Sequence, residues 1–389
     1  MNKIPPFDVS QQYQQIGDRL NQAALAVLAS GQYIGGQTVS QFESEFAKYI
    51  SGSGESISQL HDQLHGELHG QLHGIACNSG TDALYLALRA LDIGEGDEVI
   101  TSPFTFFASA ETISMTGAKP IFIDVESHSF NMNVDLIESA ITDRTKAIMP
   151  VHLFGRAVDM TKLMAIAKKH NLDVIEDCAQ ATGASFGGQK VGSIGDVGCF
   201  SFYPTKNLGG CGDGGMITTH NPEIAEKLRV LREHGSPKRY YHEYIGMNSR
   251  LDALQAALLQ VKLPYLDKWN HQRREISDRY TQLFKDANIP NIVTPHHCSE
   301  SVWNQYTICI GAGKRDHAQS QLREQNIITM IYYPLPLHLQ KVYNHLGYQQ
   351  GDFPVTENIC DRVLSLPMFP ELSEEQQDRV VSTLQKILF

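Results

Sequence analysis

Between residues 75 and 177 the chain repeats one unit, a short Val/Ile-rich run followed by an amphipathic stretch. The apolar runs fall at 75–77, 98–102, 120–125, 147–153 and 173–176. The stretches between them, 82–91, 107–117, 134–141 and 161–170, carry apolar residues at helical spacing. Strands with so few polar residues are buried on both faces, so the alternation predicts an α/β fold with a large, mainly parallel sheet covered by helices on both sides. Ligands of such sheets sit beyond the carboxyl ends of the strands, so the residues that follow each run are the first candidates for chemistry. Helical spacing also appears at 17–27 and 38–50, on either side of the turn Gly31-Gln32-Tyr33-Ile34-Gly35-Gly36. A longer helix is predicted over 251–284, interrupted at Pro264. Beyond about residue 290 the pattern becomes α+β: a strand at 306–310, a helix at 315–325, the passage Tyr333-Pro334-Leu335-Pro336 and a helix at 374–388. A chain of 389 residues accommodates two domains. The expected division is a large domain over 1–265 and a smaller C-terminal domain over 266–389.

Residues 51–74 break the pattern. After Ser51-Gly52-Ser53-Gly54 a four-residue unit repeats, from Gln59-Leu60-His61-Asp62 to Gln71-Leu72-His73-Gly74. The period is too short for a solenoid unit. The leucines would form a drifting stripe on a helix, but Gly66, Gly70 and Gly74 each weaken it by about 1 kcal/mol. His61, His65, His69 and His73 have the spacing of a helical metal site. The simpler expectation is a low-complexity insertion in a mobile surface loop, where added length costs little.

Composition removes several classes. The net charge of −11 argues against sequence-independent nucleic-acid binding, which needs a basic surface. The seven cysteines are scattered and form no C-x-x-C pair, so neither a disulfide framework nor a zinc site is expected. No signal peptide or run of about 20 apolar residues is visible, and the expectation is a cytoplasmic protein with no membrane or metal partner.

Four strand ends carry candidate chemistry. Asn78-Ser79-Gly80-Thr81-Asp82 stands between a strand and a helix, where backbone amides bind phosphate; the same residues serve equally well as an ordinary helix cap. Thr105-Phe106-Phe107 offers an aromatic face for a flat ring, or simply core packing. Glu176 and Asp177 end an apolar strand, where acids are costly to bury without a partner, and Gln180 follows three residues on. The fourth is SFYPTKNLGG, residues 201–210, an apolar strand running into a glycine-rich turn with Lys206 at its start. A lysine able to form a Schiff base and an acid able to face a pyridine nitrogen are the two requirements of pyridoxal phosphate chemistry. Lys206 and Asp177 would fill these roles, with Gln180 on the ring oxygen and Ser201 on the phosphate.

The segments NSGTDALYLAL, SPFTFFASAE, VHLFG, VIEDCAQATGA, GCFSFYPTKNLGGCGDGGMITT and GMNSRLDALQAALLQVKL, in this order, resemble the DegT/DnrJ/EryC1/StrS family of sugar aminotransferases. The similarity runs from about Phe7 to the C-terminus, broken by the histidine repeat. It implies a type I aspartate-aminotransferase-like fold and a homodimer with active sites shared across the interface. By motif, Lys206 matches the Schiff-base lysine and Asp177 the partner of the pyridinium. Gln180 matches the ring-oxygen contact, Phe106 the stacking aromatic, and Gly80, Thr81 and Ser201 the phosphate contacts. Asn248 matches a phosphate contact donated by the neighbouring subunit, and Arg250 a residue that reaches the nucleotide-sugar in some members. Tyr332, Tyr333 and His338 lie in a passage that lines the sugar pocket in relatives. The resemblance implies transfer of an amino group from an amino acid, L-glutamate, to a keto group of a nucleotide-linked sugar. Tyr203 before Pro204-Thr205-Lys206 is similar to members acting at C-3 rather than C-4. Two alternatives accompany the family: a non-catalytic cofactor-binding regulator, and a sugar dehydratase, whose histidine in place of lysine this chain does not share.

Overall fold

The computed structural model describes residues 2–52 and 70–389. The strands are β1 (His73–Cys77), β2 (Glu98–Thr101), β3 (Lys119–Phe122), β4 (Thr145–Ile148), β5 (Asp173–Asp177), the hairpin β6 (Ser185–Phe186) and β7 (Gln189–Lys190), β8 (Val197–Ser201), β9 (Gly215–Thr219), β10 (Tyr306–Cys309) and β11 (Val363–Leu366). The main sheet has seven strands in the order β1-β9-β8-β5-β4-β2-β3. Pairing is parallel from β8 to β3, and β9 alone runs antiparallel to its neighbours β1 and β8. Strand side chains alternate between the two faces: Val174 and Phe200 enter one apolar core, Ile175 and Cys199 the other.

Helices cover both faces. They are α1 (Ser10–Ser30), α2 (Gly36–Ser51), α3 (Gly80–Ala90), α4 (Ala108–Met115), α5 (Ile137–Ala140), α6 (Met160–His170), α7 (Pro222–Leu231), α8 (Ala253–Lys262) and α9 (Leu266–Ala287). Their ends follow ordinary capping chemistry. Asp159 accepts the Lys162 amide at the start of α6, Asn221 caps α7 ahead of Pro222, and Asn171 takes the left-handed conformation that closes α6. The predicted break at Pro264 is present as the 3-10 turn Leu263–Tyr265 between α8 and α9.

A further core, apart from the two on the main sheet, is built by α9, β10, α10 (Arg315–Glu324), β11 and α12 (Glu374–Leu388), with α11 (Pro354–Cys360) leading into β11. Tyr280 and Tyr306 stack there at 5.1 Å. Ile4 is buried in this core and bridges Ile327, so the first residues of the described chain pack with the C-terminal elements. Among the described residues no helix is long and apolar enough to cross a membrane, and all seven cysteines are free.

Several boundaries differ from the sequence reading. The strand expected over 147–153 is Thr145–Ile148, because Pro150 and the turn Leu153–Gly155, with Phe154 at φ 56°, bend the chain off the sheet. The helix expected over 134–141 divides into the 3-10 turn Val134–Leu136 and the single turn α5. Residues 53–69 lie outside the described residues, and with them the expected loop and His61, His65 and His69. The last repeat unit is described and belongs to the sheet: Leu72 is buried and β1 begins at His73. A Cβ at Gly74 would lie 2.6 Å from the Glu43 carbonyl, so this glycine of the repeat fills a place where α2 and β1 touch.

Candidate active site

Beyond the carboxyl ends of β5 and β8 lies a cavity of about 450 Å³. Asp177 closes β5 opposite Cys199, and two residues past that register β8 ends at Ser201 and the turn carrying Lys206 begins. Parallel pairing of the two strands therefore puts an acid and a lysine 29 positions apart in sequence on one cavity wall.

Lys206 opens onto the cavity while protein surrounds the rest of its side chain. Burial pulls its ammonium down to about 8, against the opposing pull of Asp177. The turn itself is fixed: the Lys206 amide donates to the Tyr203 carbonyl at 2.8 Å. Asn207 donates to Asn270 (2.7 Å) and the Val302 carbonyl (2.9 Å) and accepts from Asn304 (2.9 Å), tying the turn to α9 and to the approach of β10.

Asp177 is buried, which pushes its carboxyl up; the Ser109 hydroxyl, the Ala179 amide and the Lys206 charge oppose that rise. Glu176 next to it points to the other face of the strand. Its oxygens accept from the amides of Gly192 (2.9 Å), Ile194 (2.9 Å) and Gly195 (2.7 Å) and meet His152 Nε2 at 3.0 Å. Burial alone would raise Glu176, but His152 and these amides outweigh it and hold the carboxyl low. The Val158 amide donates to His152 Nδ1 at 3.1 Å, so the ring proton sits on Nε2 and goes to Glu176. Ligand atoms of His152, Glu176 and Cys178 come within 4.8 Å of one another. The histidine and carboxylate atoms are already engaged in these bonds, and burial keeps the Cys178 thiol protonated. The two acids thus divide the work, Glu176 holding backbone and Asp177 facing the cavity.

The opposite wall is the start of α3. Ser79 caps the helix by accepting the Asp82 amide at 3.0 Å, which leaves the Gly80 and Thr81 amides in the first turn without intrahelical acceptors. A Cβ on Gly80 would fall 2.6 Å from the Ser201 Cβ, so glycine is what allows the helix start and the end of β8 to close around one small anion. Phe106 lies over the cavity with more than half its surface exposed, its ring 6.4 Å from that of Tyr333. Gln180 accepts the Phe154 amide at 2.8 Å and donates to the Tyr333 hydroxyl at 3.1 Å. Neutral anion donors, an aromatic lid, a buried acid and a lysine of lowered pKa are the donor set of a phosphorylated pyridine aldehyde. Gly80, Thr81 and Ser201 would hold its phosphate, Phe106 and Gln180 its ring, Asp177 its nitrogen and Lys206 its aldehyde carbon.

The profile of the DegT/DnrJ/EryC1/StrS aminotransferase family matches residues 14–385. The chain belongs to this family. It is a pyridoxal-phosphate-dependent sugar aminotransferase of fold type I. It is 47% identical to a pleiotropic regulatory protein of Geobacillus stearothermophilus, over 98% of this chain and 97% of that one. It is 49% identical to the UDP-N-acetyl-3-dehydro-alpha-D-glucosamine 3-aminotransferase of Acidithiobacillus ferrooxidans (81% and 84% covered). Identity is 44% with the dTDP-3-amino-3,6-dideoxy-alpha-D-galactopyranose transaminase of Aneurinibacillus thermoaerophilus (98% and 99%). S. venezuelae DesV, solved in complex with a ketimine intermediate, superimposes with a TM-score of 0.90 at 38% identity, covering 99% and 98% of the two chains. NtdA of Bacillus subtilis, solved with bound cofactor PMP, gives 0.86 at 32% identity (100% and 86%).

Of the sequence-derived residues of this aminotransferase, Gly80, Thr81, Phe106, Asp177, Gln180, Ser201, Tyr203, Lys206, Tyr332 and Tyr333 line one cavity. Three do not. Asn248 is exposed on the segment that bridges Glu233, and Arg250 pairs with Glu233 at 3.2 Å. His338 is buried away from the cavity, its Nε2 3.1 Å from Glu357 and its ring 4.7 Å from Phe353. The 3-10 turn Leu337–Leu339 turns it into the packing against α11. Sequence reasoning missed Ser109, Asp213 and Gln305, which also line the cavity. Ser109 alone had a legible signal, one helical turn beyond Thr105 in the aromatic segment.

Proposed function

We propose that this enzyme moves an amino group from L-glutamate to the C-3 keto group of a nucleotide-linked sugar, working as a homodimer whose active sites are shared. The observation that carries the reading is Lys206 and Asp177 on one cavity wall, the lysine with a pKa near 8. Bound pyridoxal phosphate supplies the aldehyde that receives the amino group and the ring that takes up the electrons of the broken bond. Lys206 then moves a proton between substrate carbon and cofactor, for which a pKa close to working pH is the useful one. Asp177 would face the ring nitrogen, and its carboxylate form favours the protonated ring. Gln180 and Phe106, which line the same cavity, would hold the ring in place. Support for C-3 comes from the Tyr203-Pro204-Thr205-Lys206 wording and from relatives whose names place the amino group at C-3.

Lys206 is the single cation among the residues lining the described cavity. A nucleotide diphosphate needs more positive charge than that. Arg250 and Asn248, exposed or half-exposed and away from their own cavity, are placed in this reading at the site of a second subunit. Purified enzyme incubated with 3-keto and 4-keto nucleotide sugars and with glutamate, aspartate or alanine should convert the 3-keto sugar with glutamate fastest. Turnover confined to 4-keto sugars would overturn the C-3 assignment. The Geobacillus relative's name favours a regulatory reading. Loss of the visible cofactor band on adding glutamate distinguishes the two, since a binding-only regulator leaves the band unchanged.

A further inference from the structure

Asp177 is held at both oxygens. Oδ1 accepts the Ala179 amide at 3.1 Å, and Oδ2 accepts the Ser109 hydroxyl at 2.8 Å. Ser109 stands in the first turn of α4 and is 2% exposed; its Oγ lies 3.0 Å from the Oγ1 of Thr105, itself 3% exposed. A hydroxyl has one proton to give. Ser109 gives its own to Asp177, so the proton between the two hydroxyls comes from Thr105. The bonds therefore form a directed chain, Thr105 to Ser109 to Asp177, and all three residues border the cavity.

We infer that Ser109, backed by Thr105, is a positioning residue that keeps Asp177 ionised and its carboxylate turned toward the ring nitrogen of the cofactor. The inference rests on the pyridoxal phosphate assignment and is independent of the sugar and the amino donor. A buried carboxylate tends to take up a proton. The groups facing Asp177 are Lys206 beside it on the cavity wall, His152 behind it, the Tyr333 hydroxyl, and the thiols of Cys178 and Cys199 on β5 and β8. Burial keeps the tyrosine and both thiols protonated, so they add no charge. His152 directs its Nε2 to Glu176 and not to Asp177. Lys206 would be the residue joined to the cofactor aldehyde, so its free ammonium is not a permanent partner for the carboxylate. Hydroxyl and amide donors then carry a larger share of holding the carboxylate ionised, and Ser109 is the side-chain one.

The test is titration of apo-protein with pyridoxal phosphate between about pH 5.5 and 9, read by protein fluorescence and by the visible band. Ser109→Ala is expected to weaken binding about ten- to a hundredfold near neutral pH. Its acid limb of affinity is expected to move to higher pH, because an unsupported carboxylate protonates sooner. Ser109→Thr restores both, and Thr105→Val moves the limb in the same direction by less. Wild-type affinity and an unmoved acid limb in Ser109→Ala overturn the inference. So does a loss that is equal at every pH and not restored by threonine. Should Ser109→Ala fail to fold, an unmoved limb in Thr105→Val is decisive against it. Failure of the wild-type protein to bind the cofactor would instead overturn the assignment on which the inference rests.

Discussion

At the scale of single residues, the site works by removing water from charges. The Lys206 ammonium is poorly solvated, so its free amine becomes available near pH 8 instead of two or more units higher. Only the free amine attacks an aldehyde. Capture of pyridoxal phosphate by apo-protein should therefore accelerate as pH rises through about 8 and level off above it. Rapid mixing with detection of the visible band checks this, and a rate still climbing near pH 10 would mean an ordinary solvated lysine. Gly80 acts through what it lacks. Its absent Cβ would sit 2.6 Å from Ser201, so Gly80→Ala must push α3 off the end of β8. Such overpacking costs about 1–3 kcal/mol. The affinity for pyridoxal phosphate should fall about tenfold or more, while the affinity for pyridoxal lacking the phosphate changes little. Equal losses for both would place the glycine's role elsewhere.

At the scale of elements, the cavity is held open by bonds that converge on loops. Glu176 joins the turn after β7, residues 192–195, to His152 beyond β4. Asn207 joins the lysine turn to α9 and to Asn304 before β10. A buried carboxylate that satisfies four partners leaves all four wanting when removed. Glu176→Ala is therefore expected to lower stability by about 3–5 kcal/mol, measured by urea unfolding at neutral pH. A loss under about 1 kcal/mol would show that the loop finds other partners. The strand itself separates the two acids at its end, of which the sequence reading singled out Asp177. Adjacent strand residues point to opposite faces, and which face holds the cavity depends on what β8 and the α4 turn bring to it.

At the scale of the molecule, the proposed dimer has a direct test. If Asn248 and Arg250 complete the site of a second subunit, Lys206→Ala and Asn248→Ala chains are each inactive alone, and mixed dimers regain one intact site. Unfolding and refolding an equal mixture should recover about a quarter of wild-type activity by random pairing. No recovery, with mixed dimers shown to form by mass spectrometry, would mean that each subunit builds its own site.

The period of the apolar runs determined the α/β class and the parallel core, because strands buried on both faces have no other way to spend so many branched residues. The strand ends pointed to Lys206, Asp177, Gln180 and Gly80, since ligands of such sheets collect there. The order of the strands was not legible: β9 and α7 follow a glycine-rich stretch with little periodicity, and only pairing shows β9 running antiparallel between β1 and β8. Nor was the fate of the repeat. Its last unit reads as insertion and yet supplies the first two residues of β1. Ser109 and Thr105 were visible as letters, but their alignment behind Asp177 arises from packing α4 against β2 and β3, which brings Ser109 to the end of β5. His338 shows the converse, a residue close in sequence to the cavity-lining Tyr332 and Tyr333 that a single turn carries into the core. Local sequence dictates period and capping, which act over a few residues; which side chains converge on a cavity is decided by contacts between segments far apart in the chain.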